Sequence, residues 1–196
     1  MSIVIVALSK DLIIFAADGR AIDISNGSIV TEDFTKLYKV NDNVCVGFAG
    51  DAYRTELMID YLKYQKSRFD IDNFSVIDVK KNLLLEGIDN PDVNMKFLIA
   101  GKTKTKRFLS FSIDYHDGIV ETNNLTIPKD GFAFVSASSD KNGDYDNIIT
   151  GAVEEAKAIC GSVEECIITG LSNAIKEISC IDDTVNDHIS FEIISA

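Results

Sequence analysis

The chain has 196 residues, of which 46% are hydrophobic, and a formal net charge of −12. This length and apolar content suffice for one sizeable core, so we predict a single domain over residues 1–196. The acidic charge disfavours binding to nucleic acids and to anionic membrane surfaces, because both carry charge of the same sign.

Targeting and metal-binding signals are absent from the sequence. No apolar run is long enough to span a bilayer, and the apolar segment 3–8 lacks the preceding basic residues of a signal peptide. We therefore expect a cytoplasmic protein with neither membrane nor nucleic-acid partners. The four cysteines fit no zinc or disulfide pattern and are expected to be reduced. His116 and His188 are far apart, so we predict no metal site and no cofactor.

The first fifty residues are predicted to form strands. Two apolar runs, 3–8 and 12–17, flank a short polar turn at 9–11, which is typical of a hairpin. Both runs are almost continuously apolar, which indicates a sheet covered on both faces. Further strands are predicted at 28–31, 36–40 and 43–49.

The rest of the chain alternates between helical and strand blocks. Apolar spacing predicts helices at 51–69, with Asp51 as N-cap, and at 75–85, ended by Gly87. A turn is predicted at 115–118, and Ser162 with Glu165 forms a capping box. Segregated blocks indicate an α+β fold with two face-to-face sheets and helices outside. The later strands are predicted at 95–100, 107–113, 119–126, 132–135 and 189–194, and the later helices at 145–160 and 163–178.

Ser2 is the first candidate for chemistry. Removal of Met1, which a small second residue favours, would leave a free α-amine and a hydroxyl on one residue. An α-amine has an unperturbed pKa of ~7.7–8.0, so it can act as a base beside a hydroxyl nucleophile. Because many chains begin with Met-Ser, this signal alone is not diagnostic.

Three other positions could serve the same chemistry, although each has a simpler structural interpretation. Asp18 and Arg20 follow a buried strand, where an ordinary ion pair would suffice. Lys36 opens an alternating strand and could change the pKa of a neighbouring group, or be a solvated strand end. Gly50 lies between a strand and a helix, where its N–H could face an oxyanion or simply serve a turn.

Taken together, these residues resemble the proteasome β-subunit family and its bacterial relative HslV, members of the N-terminal-nucleophile hydrolase superfamily. The resemblance consists of a hydroxyl residue before the first strand and the segments LIIFAADGRA (12–21), KLYKV (36–40) and VGFAGDA (46–52). It is strong over residues 2–62 and mostly architectural beyond them.

The resemblance implies a four-layer αββα sandwich and an amide-bond hydrolase, most simply a peptidase. Ser2 would be the nucleophile in place of the usual threonine of the family, with its own amine as general base. Lys36 would lower the pKa of that centre, Asp18 would hold Lys36, and Arg20 would brace the Asp18 loop. The Gly50 N–H would stabilise the oxyanion.

The resemblance also implies a substrate pocket and partners. The pocket would favour an apolar side chain, and its lining residues would be Ala21, Phe34, Phe48 and Ala52. Substrates would be peptides or proteins, the chain would form a homo-oligomer such as a ring, and a separate unfoldase could act with it. The alternative is a noncatalytic structural or assembly subunit on the same fold.

Two elements of the family pattern are altered. Where the family has Gly-Ser-Gly after a late strand, this chain has SASS (136–139), so Ser138, or alternatively Ser136, is the candidate serine. Before the last strand, Asp183 or Asp182 is the candidate aspartate, and the Ser-Gly pair of the family is missing.

Overall fold

The computed structural model of the chain describes residues 3–23, 25–68, 74–88, 95–116, 119–138 and 145–196. Within these residues, the blocks of strands and helices follow each other in the predicted order. The strands are β1 (Ile3–Leu8), β2 (Leu12–Asp18), β3 (Ala21–Ile22), β4 (Ile29–Thr31), β5 (Leu37–Asn41), β6 (Val44–Gly50), β7 (Met95–Lys102), β8 (Phe108–His116), β9 (Ile119–Leu125), β10 (Ala133–Ser138) and β11 (Ile189–Ser195). The helices are α1 (Ala52–Arg68), α2 (Val76–Ile88), α3 (Asp146–Lys157) and α4 (Val163–Ser179).

Two antiparallel sheets form the centre of the fold. The first has the strand order β10-β1-β2-β11 and the second β5-β6-β7-β8-β9. β3 and β4 pair separately as a small ribbon. In the first sheet β1 lies between β10 and β2, with Ile3 opposite Ser138 and Val4 opposite Ala17. The N-terminal end of β1 therefore lies beside the ends of two other strands.

Three apolar cores separate four layers. Val4, Phe15 and Leu98 belong to the core between the two sheets. Ile14 and Leu171 belong to the core between the first sheet and helices α3 and α4. A third core packs α1 and α2 on the second sheet. All six residues of β1 are fully buried, because both faces of its sheet are covered. The predicted α+β, four-layer αββα sandwich is confirmed.

Side-chain caps are present at the two helix starts where the sequence predicts them, those of α1 and α4. The Asp51 carboxylate accepts the backbone N–H of Arg54 at 3.0 Å, which places it as the N-cap of α1. The Ser162 hydroxyl accepts the N–H of Glu165 at 3.2 Å. The Glu165 carboxylate, however, accepts the N–H of Gly161 at 3.3 Å, so the reciprocal bond of the predicted capping box is shifted by one residue.

Several predicted boundaries differ from the structure. Helix α2 does not end before Gly87 but continues to Ile88, because one glycine costs a helix only about 1 kcal/mol. Tyr115 was expected in a turn but lies in β8, where it is 2% exposed and its hydroxyl donates to the Leu83 carbonyl at 2.7 Å. The two-residue strand β3 was not predicted, and Asp117 lies outside the described residues.

Candidate active site

Asp18 is the centre of a buried polar cluster. It ends β2, is fully buried, and accepts three hydrogen bonds through its carboxylate. Its Oδ1 accepts the backbone N–H of Ile3 at 2.8 Å and the Lys36 ammonium at 2.5 Å. Its Oδ2 accepts the backbone N–H of Arg20 at 3.0 Å. The carboxylate thus joins the start of β1, the end of β2 and the segment before β5.

Lys36 directly precedes β5 and is only 1% exposed. Burial lowers the pKa of Lys36 below its usual range, and the charge and hydrogen bond of Asp18 oppose that shift only in part. The positive charge of Arg20 lowers the pKa of Lys36 further, whereas the negative charge of Asp182 raises it. The structure therefore holds a desolvated ammonium against a buried carboxylate.

Arg20 fastens the turn that follows Asp18. Its guanidinium donates to both carboxylate oxygens of Glu32, at 3.0 and 3.1 Å, a bidentate geometry that fixes direction as well as distance. A third donor reaches the backbone carbonyl of Asp183. Hydrogen bonds from Arg20 and then Asn186 lower the pKa of Glu32. Arg20 thereby connects the β2–β3 turn to the segments before β5 and β11.

Asn186 lies in the segment between α4 and β11 and is 4% exposed. Its side-chain oxygen accepts the N–H of Gly19 at 2.8 Å. Its amide nitrogen donates to the backbone carbonyl of Glu32 at 2.8 Å and to the Glu32 carboxylate at 2.6 Å. The buried Asn186 side chain therefore connects Gly19, in the turn after Asp18, with Glu32, in the segment before β5.

The two aspartates that the sequence left as alternatives have different environments. The Asp182 carboxylate accepts hydrogen bonds from the Tyr145 hydroxyl, at 2.7 Å, and from the backbone and hydroxyl of Thr184. Burial raises the pKa of Asp182, but these hydrogen bonds outweigh it and the net shift is downward. Asp183 is exposed and contributes its backbone carbonyl to Arg20. Of the two, the Asp182 side chain is the one whose charge acts on Lys36.

The candidate serines are separated by the register of β10. Ser138 lies opposite Ile3, at the N-terminal end of β1, whereas Ser136 lies opposite Ile5. The Ser136 hydroxyl donates to the Asp146 carboxylate at the start of α3, at 3.4 Å. Ser138 is therefore the candidate closer along the strand to the end of β1 that Asp18 contacts, and Ser2 lies outside the described residues.

Gly50 is the last residue of β6 and has φ = 123°. Residues with a side chain rarely adopt such a φ, so a glycine is required where the chain turns from β6 into α1. Asp51 follows directly and caps α1. The predicted strand-to-helix junction is present, and it follows β6, the strand that pairs with β5.

The four predicted pocket residues do not all lie on an open surface. Ala21 is 5% exposed and Phe48 1% exposed, and the Phe48 ring packs edge-on against Phe97 with centroids 5.2 Å apart. Ala52 and Phe34 are half-buried. Phe34 lines a cavity of about 360 Å³ between the edge strands β5 and β11.

Sequence reasoning missed Glu32, Asn186, Tyr145 and Thr184. The contacts of Asn186 join residues far apart in the chain, 167 positions in the case of Gly19. Thr184, by contrast, lies two positions from Asp182, and Glu32 lies twelve positions from Arg20. The only local signal was the polar composition of segment 182–187. Within the described residues, no three His, Cys, Asp or Glu side chains are grouped to hold a metal ion, and none of the described helices is long and apolar enough to cross a membrane.

The layered fold and the buried Asp18–Lys36 pair define a proteasome-like N-terminal-nucleophile sandwich. The model of the proteasome subunit family matches residues 3–127, more than half of the chain. The chain therefore belongs to the proteasome subunit family.

One solved structure shows the same fold over the whole chain. The structure is similar to that of eukaryotic HslV from Trypanosoma brucei, with a TM-score of 0.61 and 15% identity over 99% of each chain. At that identity the likeness shows the fold alone. No curated protein matches the sequence.

Proposed function

We propose that the chain is a proteasome-like peptidase that hydrolyses amide bonds through Ser2, exposed by removal of Met1. The observation that carries the proposal is the buried ion pair of Asp18 and Lys36, whose side chains are 0% and 2% exposed. A buried ion pair contributes little net stability, because desolvation offsets the attraction. Titratable groups in such environments gather at functional sites, and this pair lies at the start of β1.

The covalent structure of the chain supports Ser2 as the group served by this pair. Ser2 is joined by one peptide bond to Ile3, whose N–H donates to Asp18 at 2.8 Å. The Ile3 N–H belongs to the peptide bond between residues 2 and 3, and its contact with the buried carboxylate supports Ser2 as the residue that the pair serves.

In the proposed reaction, the Ser2 α-amine takes the hydroxyl proton, directly or through a water molecule. The Ser2 oxygen then attacks the scissile carbonyl carbon, and the C–N bond breaks as the proton passes to the leaving amine. Water hydrolyses the resulting ester and regenerates Ser2. The charge of Lys36, held by Asp18, lowers the pKa of the centre, and the Gly50 N–H stabilises the oxyanion, a role worth about 3–4 kcal/mol.

Substrates and location follow as further parts of the proposal. Peptides or unfolded proteins are the substrates, an apolar side chain occupies the pocket at Ala21, Phe34, Phe48 and Ala52, and the protein is cytoplasmic. A separate unfoldase could deliver folded proteins. Serine at position 2 in place of threonine keeps both groups that the reaction needs, a hydroxyl and an α-amine.

We further propose that the chain forms a homo-oligomer, such as a ring, through its helices. Tyr53, Leu57 and Tyr64 of α1 are 66%, 44% and 52% exposed. Their spacing of four and seven residues places them on one helix face, and such a face supports contact with another subunit. Native mass spectrometry counts the subunits, and a monomer at micromolar concentration would contradict this part of the proposal.

Hydrolysis of fluorogenic peptides by designed variants tests the catalytic proposal. We expect Ser2→Ala to abolish turnover and Ser2→Thr to retain it, because threonine keeps the hydroxyl and the amine. Lys36→Ala should also abolish turnover. Lys39→Ala is the matched control, because Lys39 lies three residues further on, in β5, but its side chain is 39% exposed and paired with Asp42. Circular dichroism verifies that each variant is folded.

The results separate the enzyme from a noncatalytic subunit. Undiminished turnover in Ser2→Ala would show that Ser2 is not the nucleophile. A wild-type protein that has lost Met1 and still hydrolyses no peptide would instead support the structural or assembly role.

A further inference from the structure

Asn186 is a buried polar residue whose hydrogen bonds reach two separate segments of the chain. It is 4% exposed, and its amide acts both as acceptor, for the Gly19 N–H, and as donor, to two oxygens of Glu32. An amide is the side chain that can do both at fixed geometry without carrying a charge. A serine hydroxyl is too short to replace both ends.

The contacts of Asn186 fall on either side of Asp18. Gly19, which follows Asp18, donates its N–H to the Asn186 side chain. Glu32, which accepts hydrogen bonds from Asn186, also binds the Arg20 guanidinium. The backbone N–H of Arg20 in turn donates to Asp18 Oδ2 at 3.0 Å. Both residues that follow Asp18 are thus fixed by Asn186, one directly and one through Glu32.

The backbone at Gly19, beside the Asn186 amide, is closely packed. A Cβ built on Gly19 would lie 2.5 Å from the Glu32 carbonyl oxygen and 3.2 Å from the His188 carbonyl oxygen. The Phe34 N–H also donates to the Gly19 carbonyl at 2.6 Å. The turn after Asp18 therefore touches both the segment before β5 and the start of β11, so a displaced loop would move the carboxylate that holds Lys36.

We propose that Asn186 is a positioning residue of the catalytic site, which sets the location of Asp18 and thereby of Lys36. Asn186 acts through other residues and does not touch substrate. The inference rests on the proposed peptidase function, and it identifies which residue braces the site where the Ser-Gly pair of the family pattern is missing.

Asn186→Ala tests the positioning role in turnover. We expect kcat to fall by about 10- to 100-fold, because displacement of a catalytic group by about 1 Å has effects of this size, while KM changes less than about threefold, because Asn186 does not contact substrate. Asn41→Ala is the matched control: Asn41 is 8% exposed and also donates and accepts through its amide, but at the opposite end of β5. The control should keep kcat within about twofold, as expected for a distant site.

The ionisation of Lys36 provides a readout that a merely structural role would not change. Among the described residues, the charged groups with the largest effect on the pKa of Lys36 are Asp18, Arg20 and Asp182. When Asp18 is displaced, burial continues to lower the pKa of Lys36 but the opposing attraction weakens. We therefore expect Asn186→Ala to lower that pKa further, and the alkaline limb of the kcat/KM profile to move to lower pH.

An NMR titration of lysine labelled with ¹³C at Cε measures the Lys36 pKa without requiring activity, and Lys36→Met assigns the signal. A lower pKa in Asn186→Ala than in both the wild type and Asn41→Ala supports the proposal. An unchanged pKa overturns it, whether or not the protein hydrolyses peptides. Absence of turnover in the wild type would count against the peptidase function alone. If Asn186→Ala does not fold, the Lys36 pKa is measured in Asn186→Ser instead and compared with the pKa in the wild type and in Asn41→Ala; a lower pKa supports the proposal and an unchanged pKa overturns it.

Discussion

At the scale of single residues, Asp18 and Lys36 form a buried ion pair whose desolvation offsets its attraction, as the proposed catalytic role would require. The Lys36 ammonium is almost fully desolvated, and burial lowers its pKa despite the adjacent carboxylate. The unfolded chain holds this proton up to about pH 10.4, whereas the folded chain releases it at lower pH. Between these values the unfolded state binds more protons, so the contribution of Lys36 to stability is lost as pH falls through its folded pKa.

Comparison of a single with a double variant separates the effect of an unpaired buried charge from the effect of losing the ion pair on the free energy of unfolding. Lys36→Met leaves the Asp18 carboxylate buried without its cation, and we expect a loss of about 3–5 kcal/mol in the free energy of unfolding. The double variant Asp18→Asn/Lys36→Met should recover part of that loss, because it removes the uncompensated charge and the asparagine oxygen still accepts the Ile3 N–H. The recovery is incomplete, because the asparagine NH2 group cannot accept the backbone N–H of Arg20. Both variants should lack peptidase activity. Urea unfolding measures the stabilities.

Equal destabilisation in the single and double variants would contradict this account. It would show that the ion pair itself, rather than an uncompensated charge, determines the stability of this region.

The residues of the site were predictable from the sequence only where they lie near one another in the chain. Asp18, Arg20, Lys36 and Gly50 fall within the first fifty positions, and the structure joins the first three directly. Asn186 could not be predicted, because its partners lie more than 150 positions away and no local pattern encodes them.

The choice between the two candidate aspartates also required the three-dimensional structure. Asp182 and Asp183 differ by one position, and only the orientation of the loop directs Asp182 toward Tyr145 and leaves Asp183 exposed.

At the scale of secondary-structure elements, the α3–α4 pair depends on close helix contact. A Cβ on Gly170 of α4 would lie 2.7 Å from the Cα of Val153 in α3. Backbone atoms cannot move away cheaply, so the two helices must separate if that position carries a side chain. Gly151, also in α3, has open space where its Cβ would lie.

These two glycines form a matched pair for mutation. We expect Gly170→Ala to lower the free energy of unfolding by about 1–3 kcal/mol, because the helices are overpacked. Gly151→Ala should raise it by about 0.4–1 kcal/mol, because alanine loses less conformational entropy in a helix. Thermal and urea unfolding measure both. A neutral Gly170→Ala would mean that the helices are less closely packed than the structure indicates.

Most elements followed from local patterns, and the exceptions have physical causes. Continuous apolar runs identified β1 and β2, since both faces of their sheet are covered. The prediction was wrong where tertiary contacts override local signals, as at Tyr115, whose buried hydroxyl and ring hold it in β8. The strand β3 has two residues, too few to show the alternation of apolar and polar residues by which strands are predicted.

At the scale of the whole molecule, each of the two large sheets combines strands that precede α1 with strands that follow α2, and each pair of helices covers one sheet. The site lies where the first sheet meets the segments before β5 and β11, which is why Asp18 and Lys36 can be buried and yet adjoin the start of β1. Family membership and the fold agree with this arrangement.

The proposed function requires that Ser2, as the N-terminal residue, forms an acyl-enzyme. The most direct measurement is mass spectrometry of the protein isolated from its native host, intact and after reaction with a peptide electrophile, with peptide mapping of the adduct. We expect loss of Met1 and a single adduct on Ser2, and no adduct in Lys36→Ala. Retention of Met1, or an adduct on another residue while Ser2 is unmodified, would contradict it.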